Sequence, residues 1–283
     1  MPAWRLTIAG AVAAFAAMSP TLIAQWPSYP TPGVPRAADG KPILDAPTPR
    51  TPDGKVDFSG IWMRAGAGAG GRGRAGAPPA PTTTADGIPL STFGQVAGRG
   101  YELPLQPWAA ELKKKRMADN NKDNPDVWCL PIGLMQYHNH GQPRQIVQTK
   151  NLMLITYESN YGLRYIYMDG RPAPNNDPTP WWFGYSRGRF EGDTLVVETT
   201  NFLGDERAGW LDVNGSPYTD ALKMTERFRR PNFGTLEIEV TIDDAKAYTK
   251  PFTVRVNQRI MVDQEMIEFI CNENERSTDH IAK

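Results

Sequence analysis

Residues 145–271 form a series of short runs in which apolar and polar side chains alternate, and turn residues separate the runs. In the segment LEIEVTI (236–242), four aliphatic side chains fall on one face, while the Glu and Thr side chains fall on the other. Glu191-Gly192-Asp193 and Asn232-Phe233-Gly234 are typical of hairpin turns. The pattern predicts strands at 57–62, 145–149, 151–158, 163–168, 182–190, 194–202, 222–229, 234–242, 252–262 and 266–271.

These strands follow one another without a helix between them, which predicts a mainly β fold. An antiparallel meander barrel of the lipocalin-like kind is favoured, because closure removes exposed strand edges. A β-sandwich is the alternative. The predicted domain covers residues 57–63 and 100–275. One helix is predicted at 106–119, with Pro107 at its first position and Trp108, Leu112 and Met117 along one stripe.

Three stretches with other compositions lie outside this domain. Residues 1–24 resemble a secretory signal, because Arg5 precedes a short apolar run (6–18) and Ala24 offers a small residue for cleavage. An N-terminal membrane anchor is the alternative. Residues 25–56 form a Pro-rich extended arm that either wraps the domain or links it to something else. Residues 64–85 lack bulky apolar side chains and predict a flexible, exposed loop.

Charge and cysteine content restrict the setting in which the protein works. The chain has 31 basic and 31 acidic residues, so no net field attracts it to nucleic acid or to an anionic membrane. Its two cysteines, Cys129 and Cys271, are expected to form a disulfide in an oxidising compartment, although two separately buried thiols are the alternative. We therefore expect a periplasmic or secreted protein that is not membrane-bound after signal cleavage.

Several longer motifs resemble one family. They are CLPIG (129–133), GRFEGDTLVVETTNF (188–202), ERFRR (226–230) and, in the arm and first strand, TPDGK and FSGIW. With these motifs the chain resembles a family of uncharacterised secreted proteins of soil and other environmental bacteria. That resemblance implies export and no established activity. Where such proteins tend to have Gly-His-Ser and His-Ser-Asp, this chain has Gly184-Tyr185-Ser186 and Tyr218-Thr219-Asp220.

One predicted strand carries a carboxylate on its apolar face. In LKMTERF (222–228), Glu226 shares a face with Leu222, Met224 and Phe228. A buried charge must be paired, hydrogen-bonded or neutralised. Glu226 is therefore the leading candidate for acid–base catalysis, and a barrel-closing ion pair with an Arg is the structural alternative.

Further candidate side chains are grouped by their positions on the predicted strands. Glu158 shares a predicted face with Leu152, Leu154 and Thr156, and Glu268 shares one with Met266 and Ile270. Arg164 lies beside Ile166 and Met168 as a possible counter-ion, and Tyr185 is a second catalytic candidate. The aromatic candidates for lining a ligand cavity are Tyr165, Tyr167, Trp181, Trp182 and Trp210.

Other familiar chemistries have little support. His138-Asn139-His140 lies among Gly and Pro residues, so we interpret it as polar loop histidines rather than a metal site. The sequence has no nucleophile elbow, no phosphate-binding loop and no dinucleotide fingerprint, and no cofactor is expected.

Three functional hypotheses follow. The first is binding of a small amphipathic, aromatic or sugar ligand in the barrel. The second is an acid–base enzyme, such as a lyase, isomerase or hydrolase, that uses Glu226. The third is an interaction protein that docks through its Pro-rich arm. The sequence does not set the oligomeric state.

Overall fold

The structure is a computed structural model that describes residues 29–65, 83–90, 102–174 and 179–273. The predicted signal (1–24) and most of the predicted flexible loop (64–85) lie outside these residues. Within them, no helix has the length and apolar character needed to cross a bilayer.

Nine strands form a closed barrel in which each strand pairs with its neighbours in chain order. The ring closes where Ile61 of the first strand pairs with Met261 of the last. The mainly β barrel prediction is therefore confirmed, and the sandwich alternative is wrong. The strands are β1 (Gly60–Arg64), β2 (Arg144–Gln148), β3 (Leu152–Tyr157), β4 (Leu163–Tyr167), β5 (Tyr185–Glu191), β6 (Thr194–Thr200), β7 (Lys223–Asn232), β8 (Thr235–Asp243) and β9 (Phe252–Met261).

One junction departs from the predicted antiparallel meander. β4 and β5 run parallel, and their pairing consists of Ile166 with Ser186 and Tyr167 with Arg187. A tight hairpin cannot join parallel strands, and the connection between β4 and β5 is accordingly long, from residue 168 to residue 184. The first half of β4, Leu163–Tyr165, has no pairing with β5. The barrel wall therefore lacks strand pairing at this point.

Side chains fill the barrel interior. The aliphatic face of β8 is buried as its alternation predicts, and the inward side chains of the other strands complete one continuous cluster. The predicted ligand cavity inside the barrel is thus wrong in its location. The cluster includes Trp62, Ile146, Met153, Ile155, Ile166, Leu195, Val197, Met224, Phe228, Leu236, Ile238, Val240 and Val254.

The predicted strand at 266–271 is wrong. β9 already pairs with β8 on one edge and with β1 on the other, so a closed ring leaves it no edge to join. Glu268 is exposed in an irregular segment and shares no strand face with Met266 and Ile270. Cys271 lies in this tail and forms the predicted disulfide with Cys129, with the two Cα atoms 5.5 Å apart.

Two α-helices precede β2 in the part of the chain that the structure describes. Helix α1 (Pro107–Ala118) is close to the predicted span and begins with the expected proline. Its predicted buried stripe is wrong, because Trp108 and Met117 are 46% and 51% exposed. The buried side chains are instead Ala109, which belongs to the hydrophobic cluster, and Arg116, which donates to the backbone oxygens of Gly209 and Gly215. Helix α2 (Leu134–Asn139) is buried along its whole length.

The described part of the arm lies against one end of the barrel. Backbone amides of Phe233 and Gly234, in the β7–β8 turn, donate to the carbonyl oxygens of Ala46 and Leu44. Arg50 forms an ion pair with Asp193 in the β5–β6 turn. Residues 29–56 therefore wrap their own barrel, which was the first of the two predicted roles for the arm.

Three Asp-Gly turns share one backbone pattern. In each, the Gly amide donates to the carbonyl oxygen three residues earlier, from Gly40 to Ala37, from Gly54 to Thr51 and from Gly87 to Thr84. An isolated bridge closes each turn. The arm and the segment at 83–90 thus use the same miniature hairpin.

Candidate functional site

Glu226 points into the barrel, as the parity of its strand predicts. It is fully buried between Met224 and Phe228 on β7. Arg164 reaches it from β4, where Nη1 donates to Oε1 at 2.9 Å and Nη2 bonds to Oε2. The predicted counter-ion is therefore in place, and the pair links β4 to β7, which are separated by two strands in the ring.

His138 is the third member of this buried cluster. Its Nε2–H donates to Glu226 Oε1 at 2.6 Å, and its Nδ1 accepts from Arg144 Nη1 at 3.0 Å. Arg144 also donates to the backbone oxygen of Tyr137. The interpretation of polar loop histidines is wrong for His138, because it lies on α2 and is fully buried.

A signal for this helix was present in the sequence. Leu134, Met135 and His138 recur at helical spacing after Gly133, which is the residue preceding the helix. The nearby Gly141 and Pro143 led to the loop interpretation. Nothing in the local pattern, however, indicates a contact between residues 138 and 226.

Two further polar side chains extend the buried cluster. Arg164 Nε donates to Ser186 Oγ at 3.1 Å, and Arg164 Nη2 donates to Thr199 Oγ1 at 2.9 Å. Ser186 and Thr199 are themselves 2.9 Å apart. The Arg164 guanidinium thus donates hydrogen bonds to side chains of three strands, β5, β6 and β7.

Opposing effects act on the ionisation of Glu226. Burial alone would raise its pKa, but the Arg164 charge and the hydrogen bonds from Arg164 and His138 outweigh burial and lower the pKa to about 2. Burial lowers the pKa of His138, so its imidazole is neutral at pH 7. A carboxylate with so low a pKa, whose two oxygens already accept hydrogen bonds, is a weak base. These properties fit a structural ion pair better than a proton-transfer group.

We predict that acid destabilises the protein in two steps. Both pKa values are lower in the folded chain, so the unfolded chain binds more protons as the pH falls. Loss of stability should begin below about pH 6.5 through His138 and continue from about pH 4.5 to about pH 2 through Glu226. The second step corresponds to about 3 kcal/mol at 1.36 kcal/mol per pKa unit.

Urea unfolding followed by tryptophan fluorescence from pH 2.5 to 8 would measure this dependence. Glu226→Gln should flatten the lower step relative to the parent protein, because it removes the group that titrates there. A lower step of equal size in both proteins would assign it to other carboxylates and contradict the prediction.

Glu158, a further candidate from the sequence, does not join Glu226 in the buried cluster. Strand β3 ends at Tyr157, and its inward side chains are Met153, Ile155 and Tyr157. The predicted face of Leu152, Leu154 and Thr156 points outward instead. Glu158 follows the strand, and its carboxylate accepts from the backbone amide of Ile267 at 3.3 Å. Among the described residues, no hydrogen bond or ion pair joins it to Glu226.

Most of the predicted ligand-binding aromatics meet at one groove on the outside of the barrel wall. The groove has a volume of about 450 Å³ and lies where β4 and β5 are unpaired. Tyr185, predicted as catalytic, belongs to it as well. We call it the aromatic groove; its lining is Pro131, Leu163, Arg164, Tyr165, Tyr167, Pro180, Trp181, Trp182, Phe183, Gly184, Tyr185 and Ser186.

Trp210 lies elsewhere, which corrects the fifth aromatic assignment. Its ring is buried, and the Arg116 guanidinium carbon lies 4.0 Å from the ring centroid. Arg116 in turn donates to the backbone oxygens of Gly209 and Gly215. A second hollow of about 470 Å³ adjoins this pair and α1.

Four aromatic rings form a continuous row in the groove. Ring centroids are 6.4 Å apart for Tyr165 and Tyr167, 5.2 Å for Tyr167 and Tyr185, and 5.3 Å for Tyr185 and Trp181. The planes of successive rings differ by 15°, 27° and 36°. Beside the row, the Arg171 guanidinium carbon lies 3.9 Å from the Tyr167 ring centroid.

The buried ion pair lies directly beneath this row. Arg164 and Ser186 line the groove, yet each is only 1% exposed. Arg164 is the one charged residue in the lining, and Glu226 neutralises it. The groove therefore has aromatic rings at its surface. The polar side chains beneath them, Arg164 and Ser186, are already hydrogen-bonded within the protein.

Metal chemistry has no visible ligand set in the part of the chain that the structure describes. No group of three or more His, Cys, Asp or Glu side chains is placed to hold an ion there. The aromatic groove and the buried cluster of Glu226, Arg164 and His138 are the two features in which the sequence-predicted side chains come together. Comparison with family models, curated proteins and solved structures finds no match for this chain.

Proposed function

We propose that this chain is an exported β-barrel protein that binds a small, neutral, amphipathic ligand in the aromatic groove. The row of four aromatic rings carries the proposal. Large rings at a protein surface leave apolar area in water, and a contiguous exposed group of them is typical of a binding site. Tyr165 is 47% exposed and Trp181 39% exposed.

The size of the groove suits a small molecule. Its volume of about 450 Å³ lies within the range of about 300–1,000 Å³ that is usual for ligand sites. The walls are mainly aromatic, and the polar groups are few. This combination supports a ligand that has an apolar face and a polar edge.

The electrostatics of the groove favour a neutral ligand. Arg164 cannot offer its charge to an incoming anion, because both of its terminal nitrogens bond to Glu226. Removing either partner would leave a buried charge unpaired, which is costly. The ion pair therefore has a structural role beneath the groove and does not select ligands by their charge.

Binding is better supported than acid–base catalysis. Glu226 is fully buried beneath the groove and its pKa is about 2, whereas a general base needs contact with substrate and a pKa near the working pH. Docking of a partner through the Pro-rich arm is also less supported, because the described arm is already bound to its own barrel at Ala46 and Leu44.

Two features support export. The first is the apolar N-terminal run at 6–18 with Arg5 before it, which has the composition of a secretory signal. The second is the Cys129–Cys271 disulfide, a bond that persists in oxidising compartments.

We predict that Tyr185→Ala weakens binding of the neutral amphipathic probe N-phenyl-1-naphthylamine by about 3- to 10-fold. Tyr185 contacts two other rings of the row, and an aromatic contact contributes about 0.5–1.5 kcal/mol beyond its buried area. A fluorescence titration of the probe would measure the affinity.

The matched control is Trp108→Ala. Trp108 is 46% exposed, but it lies on α1, outside the aromatic groove. We expect its loss to leave probe affinity unchanged. Absence of saturable binding to the parent protein, or equal weakening by both substitutions, would count against the proposed function.

A further inference from the structure

We infer that the ligand of the aromatic groove is a neutral saccharide, which stacks on the aromatic row and hydrogen-bonds to the Asp169–Arg171 pair at its edge. The inference rests on the proposed binding function and specifies the class of ligand. A sugar ring has C–H groups on its flat faces and hydroxyl groups around its rim. It therefore needs aromatic surface and a rigid set of hydrogen-bonding groups side by side.

The two ends of the row offer ring surface to a sugar. Successive rings lie against one another and Arg171 covers Tyr167, but Tyr165 at one end is 47% exposed and Trp181 at the other is 39% exposed. A Pro-rich peptide is the other ligand that commonly docks on Tyr and Trp rings. Proline has no backbone N–H, so such a peptide offers few donors to a carboxylate acceptor at the edge of the row. A sugar hydroxyl both donates and accepts, which favours a saccharide over a peptide.

The edge of the row carries the required polar groups. Arg171 Nε donates to both carboxylate oxygens of Asp169, at 2.9 and 3.0 Å, while the guanidinium covers Tyr167. Both side chains stay partly exposed, Arg171 at 43% and Asp169 at 30%. A fixed acceptor next to a fixed donor suits two neighbouring hydroxyl groups, one of which donates to Asp169 while the other accepts from Arg171.

Charge distinguishes a neutral from an acidic saccharide. Asp169 neutralises Arg171, and Glu226 neutralises Arg164. Arg187, at the far side of the β4–β5 junction, pairs with Glu198 at 3.6 Å. Each of these cations already has a carboxylate partner. A uronic acid would therefore gain little affinity from electrostatic attraction to them, and a neutral sugar would bind almost as well without a charge.

The test is calorimetric titration of the full chain with neutral hexasaccharides of glucose, xylose and N-acetylglucosamine. A polygalacturonate fragment and a proline decapeptide serve as competing ligand classes. We expect at least one neutral hexasaccharide to bind with one-to-one stoichiometry. Tyr185→Ala should weaken this binding about 10-fold, and Arg171→Ala should weaken it about 5-fold.

Arg207→Ala is the matched control for Arg171→Ala. Arg207 also pairs with an Asp two residues earlier, Asp205, but it lies outside the aromatic groove. We expect it to change sugar affinity less than 2-fold, an amount below about 0.4 kcal/mol. Circular dichroism would verify that each variant keeps the fold.

The outcomes separate the saccharide inference from the proposed function. If no neutral sugar binds while N-phenyl-1-naphthylamine binds and is lost in Tyr185→Ala, the saccharide inference fails and the binding function stands. Tighter binding of polygalacturonate or of the proline peptide would also overturn the inference. If neither the probe nor any sugar binds, both fail.

Discussion

Replacing Glu226 with Gln is expected to lower the free energy of unfolding by about 3–5 kcal/mol, because it leaves a buried guanidinium without its anion. Arg164 and Arg144 are each 1% exposed. Glu226 bonds directly to Arg164 and to His138, and His138 links it to Arg144. Chemical denaturation at pH 7 measures the change. The catalytic hypothesis expects the opposite, namely a variant that folds normally and loses turnover.

Glu198→Gln is the matched control. Glu198 pairs with Arg189 at 2.8 Å on the outer face of the barrel, where both side chains are about half exposed. Exposed ion pairs contribute at most about 1 kcal/mol. A loss of less than about 1 kcal/mol in Glu226→Gln would refute the structural role and restore Glu226 as a candidate for chemistry.

A double-mutant cycle with Arg164→Met would then isolate the pair. The double variant Glu226→Gln/Arg164→Met should be more stable than Glu226→Gln alone, because it removes the unpaired cation as well as the anion. Strict additivity of the two losses would mean that the two side chains do not act together.

Loss of the Cys129–Cys271 disulfide is the second large effect that we expect. The bond joins cysteines 142 residues apart, and a chain-entropy model gives about 5 kcal/mol for a loop of this length. Unfolding of the oxidised and dithiothreitol-treated protein in urea, monitored by fluorescence, measures the difference. Strain and residual unfolded structure reduce the observed value in many proteins, so a loss of about 2–5 kcal/mol is expected.

The variant Cys129→Ala/Cys271→Ala serves as the reference for reduction. Its stability should match that of the reduced parent and should not respond to dithiothreitol. If the parent loses less than about 1 kcal/mol on reduction, the tail beyond β9 is held by its other contacts, and the disulfide adds little.

The sequence predicts the barrel because hydrophobic alternation is a local property. In β7 and β4, a period of two places Glu226 and Arg164 inward, and both predictions hold. For Glu158 the predicted face was the wrong one, because the buried side chains of β3 are Met153, Ile155 and Tyr157. Where both faces of a strand carry apolar residues, parity alone does not show which face is inward.

Parity also determines where the aromatic side chains lie. If Arg164 and Ile166 point inward, Tyr165 and Tyr167 must point outward, so they cannot line the interior. The parity of β4 therefore indicates that the aromatic groove lies on the outer face of the barrel. An interior cavity lined by Tyr165 and Tyr167 is incompatible with the inward direction of Arg164 and Ile166 on the same strand.

Long-range features could not be predicted in this way. The contact between His138 and Glu226 spans 88 residues, and no local pattern encodes it. The parallel pairing of β4 and β5 is likewise a contact between distant residues that the composition of neither strand indicates. That junction creates the gap that the groove occupies, so the site depends on topology more than on any motif.

The three matching Asp-Gly turns affect how the protein ages. Asp-Gly sequences form succinimide and then isoaspartate when the Gly nitrogen attacks the Asp side-chain carbonyl carbon. In these turns the nitrogens of Gly40, Gly54 and Gly87 are held by carbonyl acceptors at 2.9, 2.9 and 3.0 Å. A nitrogen held in this way is poorly oriented for attack, so the native conformation protects sequences that would deteriorate in an unfolded chain.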